Sequence, residues 1–431
     1  MTGSLRIRWR AVAAAFILLW GPAQPAGAID YQITDIRISG NEKTRREILL
    51  RELGFSAGMT VSAAEIEKGR KSIMALGLFT TVETRLHPTK TGHRLWVDVR
   101  EKYFFLPVPI VHLSGDGDWT YGVMSQTDNL LGLNQQLKVM FRRKVYHDAD
   151  IEREDRLQIR YQTPRIANSL FGLELGLYRE RALLDEVRQK RAGRYERRLT
   201  GGGITVSRWL RAAGPSRGWR MSVGLQRQVY EHTLLSGDAG LLFNAAVFTV
   251  LARLENKMIT ASADRRTGQH YGYELRKIMP GAGRTINQHF GFYRSYQNLG
   301  SGNAVQLHTH LRMGACSGSV FGNPCFSLGG NTTIRGVGRD TLEGDVFALS
   351  NVQLLIPLAG TQYIRGVVFL DAGAAANSIS SATPHQSAVG VGVGLVWKLK
   401  RFVRTDVRVE LARGFGANGG NRVYAATSVL F

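Results

Sequence analysis

Cysteine is nearly absent: the chain of 431 residues has 2, which excludes a disulfide-stapled scaffold and a multi-thiolate zinc site. The 10 histidines fall into no HExxH or comparable metal spacing, so neither a metal nor a cofactor is expected. No stretch of about eighteen consecutive apolar residues occurs, which excludes a membrane protein built from spanning helices. Acidic residues are short, 34 against 56 lysines and arginines, leaving a net charge of +22. An excess of that size ordinarily suggests a nucleic-acid partner.

The first residues redirect that inference. Arg6, Arg8 and Arg10 precede the apolar run Ala11–Trp20, a helix-breaking GPAQP and the small residues Ala26, Gly27 and Ala28. A basic start, a short apolar segment and a small-x-small site describe a secretory signal over residues 1–28, with Ile29 starting the mature chain. The apolar run is too short to cross a hydrocarbon layer of roughly 30 Å as a helix. An exported chain meets no genome, so no nucleic acid is expected as partner. The basic excess then lines a water-filled pore or meets anionic head groups of outer-membrane lipids. Export also places Cys316 and Cys325 in an oxidising compartment, where one short-loop disulfide is the first reading and two unpaired thiols the second.

Residues 29–102 read as a small α/β domain. Thr34, Ile36 and Ile38 alternate with charged residues up to Gly40, as in a strand. Thr44 with Glu47, and Ser62 with Glu65, have capping-box spacing and open two short helices, the first closed by Gly54. Val82 to Leu86, then Leu95, Val97 and Val99, alternate as two further strands. The expected order is β-α-α-β-β.

From residue 103 to 431 the pattern changes to strands alone. Leu137, Val139 and Phe141 interleave with Lys138, Met140 and Arg142; Val407, Val409 and Leu411 interleave with Asp406, Arg408 and Glu410. A soluble sandwich would alternate in the same way. The strand length of roughly nine to eleven residues, an even number of about sixteen strands, and a last strand ending in Phe431 favour a transmembrane antiparallel β-barrel with apolar residues facing lipid.

Motifs that look catalytic lack their context, and no enzyme is expected. Gly214, Ser216 and Gly218 have nucleophile-elbow spacing, but Pro215 sits in a turn between two strands and no helix follows. Gly390, Gly392 and Gly394 lie in continuous alternation, as glycines that let neighbours approach a strand closely. The basic stretch Arg188–Arg198 reads as a hairpin tip, either simply solvated or touching lipid phosphates.

Between the eleventh and twelfth strands lies GGNTTIRGVGRDTLEG, residues 329–344. Phe369, Asp371 and Gly373 share a face of the following strand but one, and a carboxylate there belongs on the lumen side. Arg335 is its natural partner if the loop folds back into the barrel.

In this combination the chain resembles the BamA/TamA-type family of outer-membrane insertion and translocation barrels. The resemblance rests on one POTRA-like module containing LGLFTTVE, a barrel of about sixteen strands, FSLGG before IRGVGRD, FLDAG in the thirteenth strand and a terminal Phe. It implies that Arg335 and Gly336 lock against Asp371, with Phe369 and Gly373 in support. It also implies a weak seam between the first strand, near Phe105 to His112, and the last, with Val423, Val429 and Phe431. The sequence departs from the family pattern at Val337, where an aromatic usually follows Arg-Gly, and in having a single module.

The expected function is assembly: insertion or translocation of unfolded outer-membrane or secreted polypeptides, with the module in the periplasm, the strand Ile33–Ile38 receiving clients, and periplasmic or outer-membrane accessory proteins assisting. The rival is a dedicated secretion pore for one partner protein. A passive porin has no use for the N-terminal module.

Overall fold

The computed structural model describes residues 30–427, apart from 114–116, 148–152, 168, 189–190, 215–216, 238–243, 262–265, 282–283, 301–304, 319–323, 359–360, 378–385 and 399–405. The signal segment, Pro215, Ser216, Val429 and Phe431 lie outside these residues.

The N-terminal unit comprises Asp30–Ser39 (β1), Arg46–Leu53 (α1), Thr60–Ser62 (β2), Ala63–Ala75 (α2), Phe79–Thr89 (β3) and Gly92–Glu101 (β4). Its sheet runs β2-β1-β4-β3, with β1 parallel to β4. The helices cover one face and enclose Ile33, Ile36, Leu49, Ile73, Phe79, Leu95 and Val97. The short β2, which sequence periodicity does not reveal, pairs with the start of β1 and makes it an interior strand there. β2 pairs with Asp30–Gln32 alone, so the expected client strand Ile33–Ile38 is bonded to β4 on one side and, beyond Ile33, has no β2 pairing on the other; β3 offers a second, longer free edge.

One capping box forms and the other does not. Ser62 Oγ accepts from Glu65 N–H at 3.2 Å, and Glu65 accepts from Ser62 N–H at 2.8 Å. These bonds, led by the backbone one, hold the Glu65 carboxyl below its usual range. Thr44 caps nothing; α1 begins at Arg46 without a side-chain cap. Instead Thr44 is buried at the junction with the barrel, accepting from Asn129 Nδ2 at 2.8 Å while its own N–H donates to Glu101. Arg45 completes that junction, with its backbone N–H on the Gly132 carbonyl and its Nε on that of Leu131.

The barrel strands follow: Phe105–Leu113 (β5), Trp119–Leu130 (β6), Gln135–Val145 (β7), Arg153–Thr163 (β8), Phe171–Arg188 (β9), Arg191–Gly214 (β10), Arg217–Gly237 (β11), Ala245–Ala261 (β12), Arg266–Pro280 (β13), Ile286–Leu299 (β14) and Val305–Cys316 (β15). A small hairpin intervenes, Phe326–Leu328 (β16) and Leu342–Gly344 (β17). Then come Val346–Leu358 (β18), Thr361–Ala376 (β19), Gln386–Lys398 (β20), Asp406–Gly416 (β21) and Asn421–Thr427 (β22). Sixteen of these strands close one antiparallel barrel, with β22 meeting β5.

Alternation decides which face is which. On β20 Val389, Val391, Val393, Leu395 and Trp397 are exposed outward, whereas Ala388 and Val396 are buried inward. Charges collect inside as paired groups: Arg142 with Glu154, Arg156 and Arg197 with Glu180, Arg220 with Glu255, Arg253 with Glu274. This polar-in, apolar-out arrangement is that of a membrane barrel.

Two expectations need correcting. Strands are not uniformly short: β10 has 24 residues and β11 has 21, more than a crossing needs. For the same reason the hairpin tip expected over Arg188–Arg198 narrows to its start, where β9 ends at Arg188 and β10 begins at Arg191; the rest is part of β10, where Arg197 reaches Glu180 and Arg198 reaches Glu196. Strand pairing continues beyond the membrane because each added residue extends a ladder that is already nucleated. Ser62→Ala should cost about 1 kcal/mol of local stability; faster amide exchange in the first turn of α2 checks this, and unchanged exchange would refute the capping account.

Candidate functional site

The lumen is occupied by the segment between β15 and β18. Cys316 and Cys325 are joined at its mouth, with Cα atoms 6.4 Å apart. From there β16 and β17 descend as a hairpin whose tip carries Ile334, Arg335, Gly336 and Val337. Leu328, Ile334, Val337 and Leu342 pack on Phe347, Leu349, Ala375 and Ala388 of the wall. That apolar contact sets the depth of the tip. Val337, where the resembled family usually has an aromatic, is fully buried and bridges to Gly419.

Arg335 is 1 % exposed and Asp371 0 %, so their pairing takes place without water. Arg335 Nε donates to Asp371 Oδ2 at 2.7 Å and Nη2 to Oδ1 at 2.8 Å, a bidentate fork. The Arg335 backbone N–H adds a third bond to Asp371 at 3.1 Å. Nη1 reaches Glu410 Oε2 at 3.1 Å, and the guanidinium lies 3.4 Å from the centre of the Phe369 ring. Asn351 Nδ2 donates both to Asp371 Oδ1 and to the Thr333 carbonyl, and Arg312 Nη2 donates to Asn351 Oδ1 and to the Thr332 carbonyl. Gly373 gives Ile334 its space, since a Cβ there would come 2.7 Å from the Ile334 methyl.

Backbone clearance is equally specific. Gly336 has φ of 84° and lies against Gly414, with no room for a Cβ. A Cβ on Gly390 would overlap the Arg335 carbonyl, and one on Gly392 would overlap the Phe369 ring. Gly390, with Gly414 of β21, thus forms the groove in which the tip lies, while Gly392 makes room for the ring beneath the guanidinium.

The same tip holds both sides of the barrel's closure. The seam pairs Ala425 with Leu113 and Ala426 with His112. On the β22 side, Tyr424 Oη accepts from Gly336 N–H at 2.9 Å and Arg422 Nη1 donates to the Gly336 carbonyl at 2.6 Å. On the other side, Asn331 Nδ2 lies 2.9 Å from His112 Nε2, while His112 Nδ1 lies 3.0 Å from the Ala425 carbonyl. The neutral Nδ1–H tautomer satisfies both contacts, donating to Ala425 and accepting from Asn331. Arg339 Nη1 donates to Asp118 at 3.0 Å just before β6.

Of the residues singled out from sequence, Arg335, Gly336, Phe369, Asp371 and Gly373 meet at one point. Val423 lies on the outer face of β22, 46 % exposed. Glu410, Asn351, Tyr424 and His112 were missed. Each occupies an inward position of an alternating strand, so parity would have placed them in the lumen, but not at the tip.

A closed barrel with an apolar exterior, an α/β unit at one mouth and an arginine-tipped loop filling its lumen is an outer-membrane β-barrel. The chain belongs to the Omp85 superfamily: that superfamily's domain profile matches residues 129–402. A POTRA profile, described as a surface antigen variable number repeat, matches residues 31–102. No curated protein matches the chain. Among solved structures it is similar to BamA from Haemophilus ducreyi lacking POTRA domains 1-3, at 15% identity and a TM-score of 0.54, covering 92% of this chain and 83% of that one. It is also similar to CdiB from Acinetobacter baumannii, at 15% identity and TM-score 0.67, covering 92% and 74%. CdiB from Escherichia coli gives 15% and 0.66, covering 92% and 76%. At such identity the likeness is one of fold.

Removing Arg335 takes the cation from buried Asp371 and leaves Glu410 with Arg408 alone, a loss of about 3–5 kcal/mol. Arg335→Ala should therefore lower the temperature at which the folded band disappears on a semi-native gel. Gly390→Ala should do the same while keeping every charge, because it expels the tip sterically. Two variants with wild-type transitions would show that the tip is not held here.

Proposed function

We propose that this protein inserts or translocates polypeptides at the bacterial outer membrane by opening the β5–β22 seam when its lumenal loop lets go. The observation that supports this most directly is the tip's double grip on that seam. Among the described residues β22 joins β5 through two residue pairs, and His112, Tyr424 and Arg422 tie both edges to one loop. A loop that bonds to both edges of one strand boundary couples the opening of that boundary to its own release. The loop then decides when it opens.

The POTRA unit sits on the periplasmic side in this reading and takes clients on the free edge of β3, by strand addition. Arg70 Nη1 donates to the Val82 carbonyl of β3 at 3.3 Å while its fork holds Glu67. A client strand pairing at Val82 exchanges that bond for its own.

A dedicated secretion pore for one partner protein is the second reading. The higher TM-score with the CdiB barrels, 0.67 and 0.66, than with BamA, 0.54, supports it. Its client crosses the lumen and displaces the same tip. Neither reading gives the chain a catalytic step.

Photocrosslinking probes at Glu83 and at Val423 in cells separate the two. Adducts to many nascent barrel proteins support assembly; adducts to one large exported protein support the secretion pore; no adduct at either position refutes both. Linking Leu113→Cys to Ala425→Cys in a Cys316→Ser/Cys325→Ser background should stop assembly until reductant is added. Full activity with the seam linked would rule out seam opening.

A further inference from the structure

The outer wall of β7–β11 changes character abruptly at the end away from the POTRA unit. On β9 the outward residues Phe171, Leu175 and Leu177 are exposed and apolar, and the next two outward positions are Arg179 and Arg181. On β11 Trp219, Met221, Val223 and Leu225 lead to Arg227. On β10 Val206 and Ile204 lead through Gly202 and Thr200 to Arg198. The registers bring these together. Arg181 is directly opposite Arg198, and Arg179 opposite Thr200. Gly202 is opposite Arg227.

At the other end, Arg208 of β10 lies outward with its guanidinium 5.4 Å from the Phe171 ring centre. Arg208 and Arg198 are ten residues apart, about 33 Å along a strand. With the usual tilt, that length spans an apolar band of about 25 Å. The four upper arginines thus stand where the lipid head groups of the distal leaflet begin.

Their charge is not fully answered by protein. Glu196 takes Arg181 at 2.6 Å and Arg198 at 2.6 Å. Asp155, opposite Arg181, is held by Arg143 through two bonds. Glu231 faces Arg198 across the ladder. Against these three acids, among the described side chains the same outer face carries Arg143, Arg153, Arg179, Arg181, Arg198 and Arg227. The excess is positive, and it lies directly above lipid-facing leucines, where a solvated surface would not need it.

We propose that Arg179, Arg181, Arg198 and Arg227 form a binding site for a phosphorylated lipid head group of the outer leaflet. The fork geometry of guanidinium suits a phosphate oxygen pair. The Glu196 bridge holds Arg181 and Arg198 side by side, while Arg179 and Arg227 flank them from neighbouring strands. Acyl chains then lie along Leu175, Leu177, Ile204, Val223 and Leu225. Assignment of that leaflet as the outer one rests on the periplasmic placement of the POTRA unit; the site itself does not.

The test uses the full chain in zwitterionic detergent micelles, titrated with phosphatidic acid and followed by native mass spectrometry. Phosphatidic acid should bind the wild type. Arg179→Gln/Arg227→Gln, which leaves the Glu196 pairings intact, should weaken binding about tenfold. Arg208→Gln, at the opposite edge of the band, should bind as wild type. Equal binding by the double variant overturns the site, as does an equal loss in the Arg208 variant. Phosphatidylcholine should not compete. Displacement by inorganic phosphate at matched concentration would mean a free-anion site, and displacement by an acidic peptide would mean a protein partner; either result overturns the lipid assignment. Protease access to the POTRA unit in intact cells tests orientation separately, so the two failures are distinguishable.

Discussion

Everything particular about this barrel depends on one guanidinium held without water. Arg335 makes a fork with Asp371, reaches Glu410 and covers the Phe369 ring. Without Arg335, Asp371 would lose its cation in a low-dielectric interior and Glu410 would keep only Arg408. With Arg335 in place they become the anchor of a loop. A buried pair of this kind adds little net stability over apolar packing. What it adds is position: the fork accepts one orientation of the tip, and Asn351, Arg312 and the Thr333 carbonyl reproduce that orientation through separate bonds. The glycines of β20 and β21 make the same choice sterically, since the tip fits where Gly390 and Gly414 leave a groove.

That placement matters because the tip lies against the strand boundary that closes the barrel. Strands β9, β10 and β11 pair with one another along long registers. Among the described residues, the β22–β5 boundary pairs Ala425 and Ala426, two small side chains, with Leu113 and His112. The tip ties Tyr424 and Arg422 on one side of it to His112 and Asp118 on the other, so that lumen and seam respond to the same segment.

How much of this can be read from sequence follows from the physics of each part. Period-two alternation with charges on one face placed Asp371 in the lumen, because a carboxylate facing hydrocarbon is so costly that parity alone decides it. An arginine flanked by glycines then had one evident partner. Alternation gives a residue's face but not its height or its neighbours around the barrel, so Glu410, Tyr424 and His112 were invisible as partners of the tip although their faces were known. The Thr44 capping box failed for a related reason. A box is a local signal, and Thr44 is claimed by Asn129, 85 residues away. β2 escaped notice because three residues carry no period. Its pairing is confined to Asp30–Gln32, so β1 is an interior strand at its start and keeps one side unpaired by β2 along the rest.

The junction that captured Thr44 also bears on how the two units work together. Gly132 lies so close to the Lys43 carbonyl that a Cβ would overlap it, and Arg45 bonds to two carbonyls of the same turn. On the other flank, Arg51 of α1 donates to the Ala167 carbonyl in the turn between β8 and β9. The POTRA unit therefore rests on turns of β6–β7 and β8–β9, with α2 against β10 and β12, within the first eight strands of the barrel rather than the last. Motion of β5 away from β22 would take place beside this contact, whereas motion of β22 would not disturb it. A seam that opens by displacing β22 keeps the module, its free β3 edge and the first strands as one platform, and it releases the strand that carries Tyr424 and Arg422. The grip of the tip on β22 is then the bond that must break first.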